Sequence, residues 1–130
     1  MNKVILIGHL GQDPEIRYTA SGQAVTKLRL ATTDRYHDKN TGVKREQTQW
    51  HTLVAWGRLA EICGKYLQKG SHIYAEGKLT YRKWQDRDGN SRVSAEVRLG
   101  NLQMLDRKRH QENNGMDAPY ESYESEDIPF

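Results

Sequence analysis

The 130-residue chain has room for one domain and a short extra segment, and its 35% hydrophobic fraction supports one modest core, not two. A formal net charge of +3 conceals a split: residues 1–110 hold all 20 Lys and Arg and 11 of the 17 acids, a net +9, whereas residues 111–130 hold six acids and no Lys or Arg, a net −6. Cys63 is the single cysteine, which excludes a disulfide within the chain and a paired-cysteine metal site, and fits a reducing cytoplasm.

The chain opens on Val4-Ile5-Leu6-Ile7, a run too short for a signal peptide or a membrane span, so a soluble cytoplasmic protein is expected. The run is apolar at every position and predicts a strand buried on both faces, with bends at Gly8 and Gly11. Asp13-Pro14 and Ser21-Gly22 mark turns. From Ala24 to Thr33 the pattern alternates, Ala24, Leu28 and Leu30 on one face against Lys27 and Arg29 on the other. The polar stretch Asp34 to Glu46 reads as a long hairpin loop, and Gln47 to Gly57 returns to strand composition.

The period then changes. Leu59, Ile62, Cys63, Tyr66 and Leu67 fall on one face of a helix, with Gly70 as a stop signal and no strong cap at its start. Ser71 to Trp84 is a long strand, Asp86 to Asn90 a second hairpin turn, and Ser91 to Leu105 the last strand, with Gly100 shifting its register. Five strands with one helix between the third and fourth give an all-β fold, the order of the OB barrel, with an open sandwich as the main alternative. The expected division is a barrel domain at 1–105, a disordered linker at 106–120 and an acidic tip at 121–130.

Catalytic chemistry finds no support in the residues. The five histidines are scattered, no zinc motif is present, and no nucleophile has a credible partner. Gly57 to Lys65 fails as a phosphate loop, because six residues separate its glycines and Tyr66 stands where Ser or Thr would hold magnesium. No enzyme activity, metal or cofactor is expected.

The aromatic residues carry more information. Trp50 and Trp56 share a strand face opposite Leu53. Tyr74, Lys78, Arg82 and Trp84 share another, opposite Ile73, Ala75 and Leu79, while Tyr36 sits in a charged stretch. One tryptophan alone would read as core. Several aromatics opposite the aliphatics and interleaved with cations read as a ligand surface for single-stranded DNA, with phosphates met by Lys27, Arg29, Lys44, Arg45, Lys78, Arg82 and Lys83. A single-stranded RNA module and a bare protein adaptor are the competing readings. The tail ends Asp127-Ile128-Pro129-Phe130, and Phe130 is the only phenylalanine. An aromatic, a terminal carboxylate and acids upstream suit an apolar pocket rimmed by cations on a partner protein.

At these residues the sequence resembles the bacterial single-stranded DNA-binding protein family, SSB. The likeness rests on Asn2-Lys3-Val4-Ile5-Leu6-Ile7-Gly8, Leu10-Gly11-Gln12-Asp13-Pro14-Glu15, Glu46-Gln47-Thr48-Gln49-Trp50-His51, Tyr66-Leu67-Gln68-Lys69-Gly70, Arg82-Lys83-Trp84 and the terminal Asp127-Ile128-Pro129-Phe130. It implies an OB fold, a homotetramer, sequence-independent wrapping of single-stranded DNA in the nucleoid, and docking of the tip onto replication, recombination and repair proteins. Carried over by motif, it implies base stacking at Tyr36, Trp50, Trp56 and Trp84 and a subunit interface at His51. Two departures stay aromatic: Tyr36 stands where tryptophan is common, and Trp56 where phenylalanine is. A third, the short stretch between Leu105 and the tip, bears on the reach of the tail.

Overall fold

Alternation of aliphatic with polar positions folds this chain into paired strands in the computed structural model, which describes residues 1–106 and 122–124. In chain order these are β1 (Val4–Leu10), β2 (Glu15–Tyr18), β3 (Ala24–His37), β4 (Lys44–Trp56), helix α1 (Gly57–Tyr66), β5 (His72–Gln85), β6 (Ser91–Met104) and β7 (Ser122–Glu124). The sheet runs β1-β5-β6-β4-β3-β2, and β1 also pairs with β3 through His9↔Ala31 and Leu10↔Leu30. That last pairing closes β1, β5, β6, β4 and β3 into a five-stranded barrel, the OB architecture expected from the element order. All neighbours are antiparallel except β4 and β6, which run parallel at Leu53↔Val97 and Val54↔Arg98.

Inward positions fill the barrel. Leu28, Leu30, Leu53, Ala55, Ile73, Ala75, Leu99 and Leu102 are sealed, and α1 adds Leu59, Ala60 and Cys63. Burial pushes the Cys63 thiol up to about 12, so it stays protonated and serves packing. The buried Thr26 hydroxyl donates to the Ala60 carbonyl at 2.7 Å and ties β3 to the helix. No side chain caps the start of α1 at Trp56, as the sequence leads one to expect. The turn at 86–90 is held by the Asp86 carboxylate, which accepts the N–H groups of Asp88 and Asn90 at 2.9 Å each. The Asn90 N–H, with help from Arg92, keeps that carboxyl below its ordinary pKa.

Several expectations are corrected. β1 is not buried on both faces: Ile5 and Ile7 are 54% and 53% exposed, because no element of the described chain covers the outside of β1. The stretch Asp34 to Glu46 is not all loop. Pairing continues to His37↔Lys44, and the turn is confined to 38–43. Both faces of this ribbon are solvated, so it lacks apolar periodicity; cross-strand bonds such as Arg35 to Glu46 at 2.8 Å support it instead. A short strand, β2, lies between the two expected turns, and its Ile16 packs on Gly64 of α1. The helix consequently falls between β4 and β5 of seven strands. Tyr66, placed on the helix's apolar face by its spacing, is 52% exposed. The acidic end contributes β7, paired with Asn101–Gln103 of β6. The remainder of the expected linker beyond Asp106, and the tip at Asp127–Phe130, lie outside the described residues.

Close backbone approach permits the closure. A methyl at Gly8 would lie 2.0 Å from the Ala31 carbonyl oxygen, and one at Gly77 would lie 2.1 Å from that of Arg98. Gly77 also faces the register shift at Gly100, where β6 carries one extra residue. Gly77→Ala is therefore expected to cost about 1–3 kcal/mol of folding free energy, measured as a drop in the urea midpoint at unchanged slope.

Candidate nucleic-acid interface

Register places the outward residues of the barrel in rows. On β3 and β4 the facing pairs are Ala31↔Trp50, Arg29↔Thr52, Lys27↔Val54 and Val25↔Trp56. Across β4, β6 and β5 the pairs Val54↔Arg98 and Lys78↔Arg98 continue one of these rows. Lys27, Val54, Arg98 and Lys78 therefore stand side by side over four strands. Farther along the β5–β6 arm, Arg82↔Ser94 and Trp84↔Arg92 extend the same outer face. The alternation of β5 runs unbroken through Gly77, because the extra residue of the bulge belongs to β6.

Three indoles lie on this face. Trp50 is 50% exposed, and its inner side rests over Gly11, where a methyl would come within 2.3 Å of the ring. The Arg29 guanidinium stands 5.8 Å from the Trp50 centroid and donates to the Thr52 hydroxyl at 2.9 Å. Trp56 is half-buried, with the Arg98 guanidinium 5.6 Å from its centroid. Trp84 is 40% exposed, and its Nε1–H donates to Ser94 Oγ at 2.8 Å, which fixes the tilt of the ring. Cation–π contacts of this kind contribute about 0.5–1 kcal/mol at exposed sites. None of the three tryptophans is sealed in the core.

The remaining expected residues divide. Lys27 and Lys78 join the indole face and make no ion pair among the described residues. Arg82 joins it too, with its Nε 3.0 Å from a Glu96 carboxylate oxygen. Lys44 shares the parity of Trp50 out along the ribbon. Tyr36 and Arg45 face each other on the opposite side of that ribbon; both are exposed, and Arg45 sits 3.5 Å from Asp38. Lys83 likewise points away from Arg82, toward the side of Tyr81 and Val93.

Tyr74 is not brought to the indoles. It neighbours Ile7 and Gln103, and its hydroxyl donates to Glu76 at 3.0 Å. Glu76 also pairs with Lys3 at 2.6 Å. The Lys3 ammonium holds the Glu76 carboxyl below its usual pKa, and hydrogen bonding to Glu76 raises the Tyr74 phenol.

His51 lies on the inward parity of β4, half-buried, with Nε2 2.8 Å from the Thr32 hydroxyl. The sequence reading passed over Arg98 and Gly11. Arg98 was legible as a cation opposite Val97 and Leu99 on its strand. Gly11 reads as a bend, and only the fold places an indole on it.

Among the described residues no group of three or more His, Cys, Asp or Glu is arranged to hold a metal, and no helix is long and apolar enough to cross a membrane.

Residues 1–105 match the model of the single-strand binding protein family. The chain belongs to that family. It is similar in structure to the Plasmodium falciparum SSB solved in complex with ssDNA, at TM-score 0.74 and 32% identity, over 82% of this chain and 96% of that one. It is also similar to a deletion variant of the single-stranded DNA binding protein from Thermus aquaticus, at TM-score 0.65 and 34% identity, over 80% of this chain and 56% of that one.

Burial above all, then the Arg29 charge, holds the His51 pKa below its ordinary 6.5. On acidification the unfolded chain takes up this proton before the folded one does. Stability from neutral His51 is therefore complete above about pH 6.5 and falls as the pH drops through the window below it. His51→Gln should flatten that acid limb of the stability curve, read by urea unfolding between about pH 5 and about pH 7.5.

Proposed function

We propose that this chain binds single-stranded DNA without regard to sequence, laying bases on Trp50, Trp56 and Trp84 and phosphates on the cations between them. The observation that carries this reading is the register that alternates open indoles with Lys27, Arg29, Lys78 and Arg98 on one outer face. Stacking on an aromatic contributes roughly 1–3 kcal/mol per base and accepts any base, because every base has a π-face. Three platforms then supply roughly 3–9 kcal/mol before ordering costs, without reading a base edge. Duplex DNA is refused, since its bases are already stacked on one another. The Arg82–Glu96 pair is exposed on its arginine side and is worth little in water. A phosphate can therefore compete for that guanidinium.

Tyr36, Lys44 and Arg45 extend the path. A flexible strand crossing the tip of the β3–β4 ribbon meets cations on both of its sides, around a concavity lined by Arg35, Tyr36, His37, Lys44, Arg45 and Glu46. Lys83 is met the same way at the other arm, and Tyr74 is given no base in this reading.

The chain assembles as a homotetramer. Ile5, Ile7 and Tyr74 present apolar surface on the outside of β1 and β5, the kind of area that a second copy covers. His51 serves an interface between subunits. The tip Asp127-Ile128-Pro129-Phe130 recruits replication, recombination and repair proteins, in a cytoplasmic, nucleoid-associated setting and with no catalysis of its own.

Tryptophan emission tests the stacking. Oligo(dT) should quench it strongly and duplex DNA of equal length should not; an unchanged signal with oligo(dT) refutes the reading. Trp50→Ala and Trp84→Ala should each weaken binding by about 1–3 kcal/mol, roughly five- to 150-fold. Deleting residues 127–130 should abolish capture of partner enzymes and leave oligo(dT) affinity unchanged or slightly raised. A large loss of DNA affinity on that deletion would overturn the division between barrel and tip.

A further inference from the structure

Arg98 is the one cation of the indole face whose side chain is caught in an unfinished arrangement. Its Nε–H is buried and has no hydrogen-bond partner among the described residues. No carboxylate among the described residues pairs with it, although Arg82 on the adjoining strand has Glu96 and Arg92 has Asp86. Its guanidinium instead rests 5.6 Å from the Trp56 ring centroid. An unsatisfied buried donor is costly, and a cation over an indole recovers only part of that cost. The strand itself is held in place on both sides, by Val54 of β4 and Lys78 of β5. Relief comes from the side chain swinging outward to an acceptor not found among the described residues.

We propose that Arg98 is a phosphate-binding residue that rests on Trp56 in the free protein and is released when a nucleobase takes its place on that ring. Trp56 and Arg98 then hold the base and the phosphate of one nucleotide, and the Nε–H gains a charged acceptor. Lys27 and Lys78 flank the same row, so a phosphate arriving there meets three cations; the acid in register beside Lys27, Glu15, is already paired with Arg17. This rests on the single-stranded DNA reading above and adds to it an exchange of partners at one platform.

The test is a salt titration of full-length protein with oligo(dT), read by tryptophan emission, for the wild type, Arg98→Ala and Arg98→Lys. Each phosphate neutralised on a single strand contributes about −0.7 to the slope of log affinity against log salt. Arg98→Ala should make the slope shallower by about 0.7, and Arg98→Lys should restore it, because the lysine keeps the charge. Thermal melting of the three proteins separates binding from folding. A slope unchanged in a folded Arg98→Ala protein overturns the proposal, and so does an Arg98→Lys slope as shallow as that of alanine. Wild-type protein with no salt-dependent binding would instead sink the single-stranded DNA reading itself, which keeps the two failures apart.

Discussion

The closure of the sheet by β1 on β3 is the constraint on which the rest depends. Two pairs, His9↔Ala31 and Leu10↔Leu30, turn an open sheet into a barrel. Closure fills the sealed centre with aliphatic or small side chains, since a barrel this narrow has room only for them. Large flat rings and long cations are thereby driven to the outer surface. The glycines at 8 and 77 make the closure sterically feasible, so the positions of Trp50, Trp56 and Trp84 in the open trace back to residues with no side chain at all.

The arms follow from the same geometry. β3–β4 and β5–β6 are longer than the barrel is tall, so each projects beyond the core as a two-stranded ribbon. On such a ribbon the inward face has nothing to pack against. Tyr81 and Val93 are 66% and 62% exposed for this reason, and Tyr36 with Arg45 is presented on the side of the ribbon away from Trp50. A rigid ligand would touch one side of each arm. A chain with a soft backbone can fold over the edge and use both, which is why single-strand binding suits arms of this kind.

Much of this was legible from spacing alone. Alternation located the core faces of β3, β5 and β6 and the register change at Gly100, while a 3.6-residue period located α1. Parity alone placed all three tryptophans outside. What escaped has physical reasons. β2 is four residues long and exposed throughout, so it has no apolar face to announce it. The outer ends of β3 and β4 are stabilised by cross-strand charges that resemble loop composition. The exposure of Ile5 and Ile7 is invisible to a pattern that counts only apolar residues, because such a run reads identically whether its second face meets a helix, another subunit or water. Tyr74 has the parity of Trp84 but sits ten residues down the strand beside a different neighbour, β1, and parity carries no information about neighbours.

The seat beneath Trp50 has a wider consequence. Residue 11 need never touch a ligand, yet any atom added there would lift the indole from below and change the angle at which it meets its guest. Positions 11 and 50, far apart in the chain, are thus one mechanical unit. In a lineage of such proteins a bulkier residue at the first should be tolerated only where the second has shrunk, and a designer wishing to tilt that ring could do so by working from underneath it.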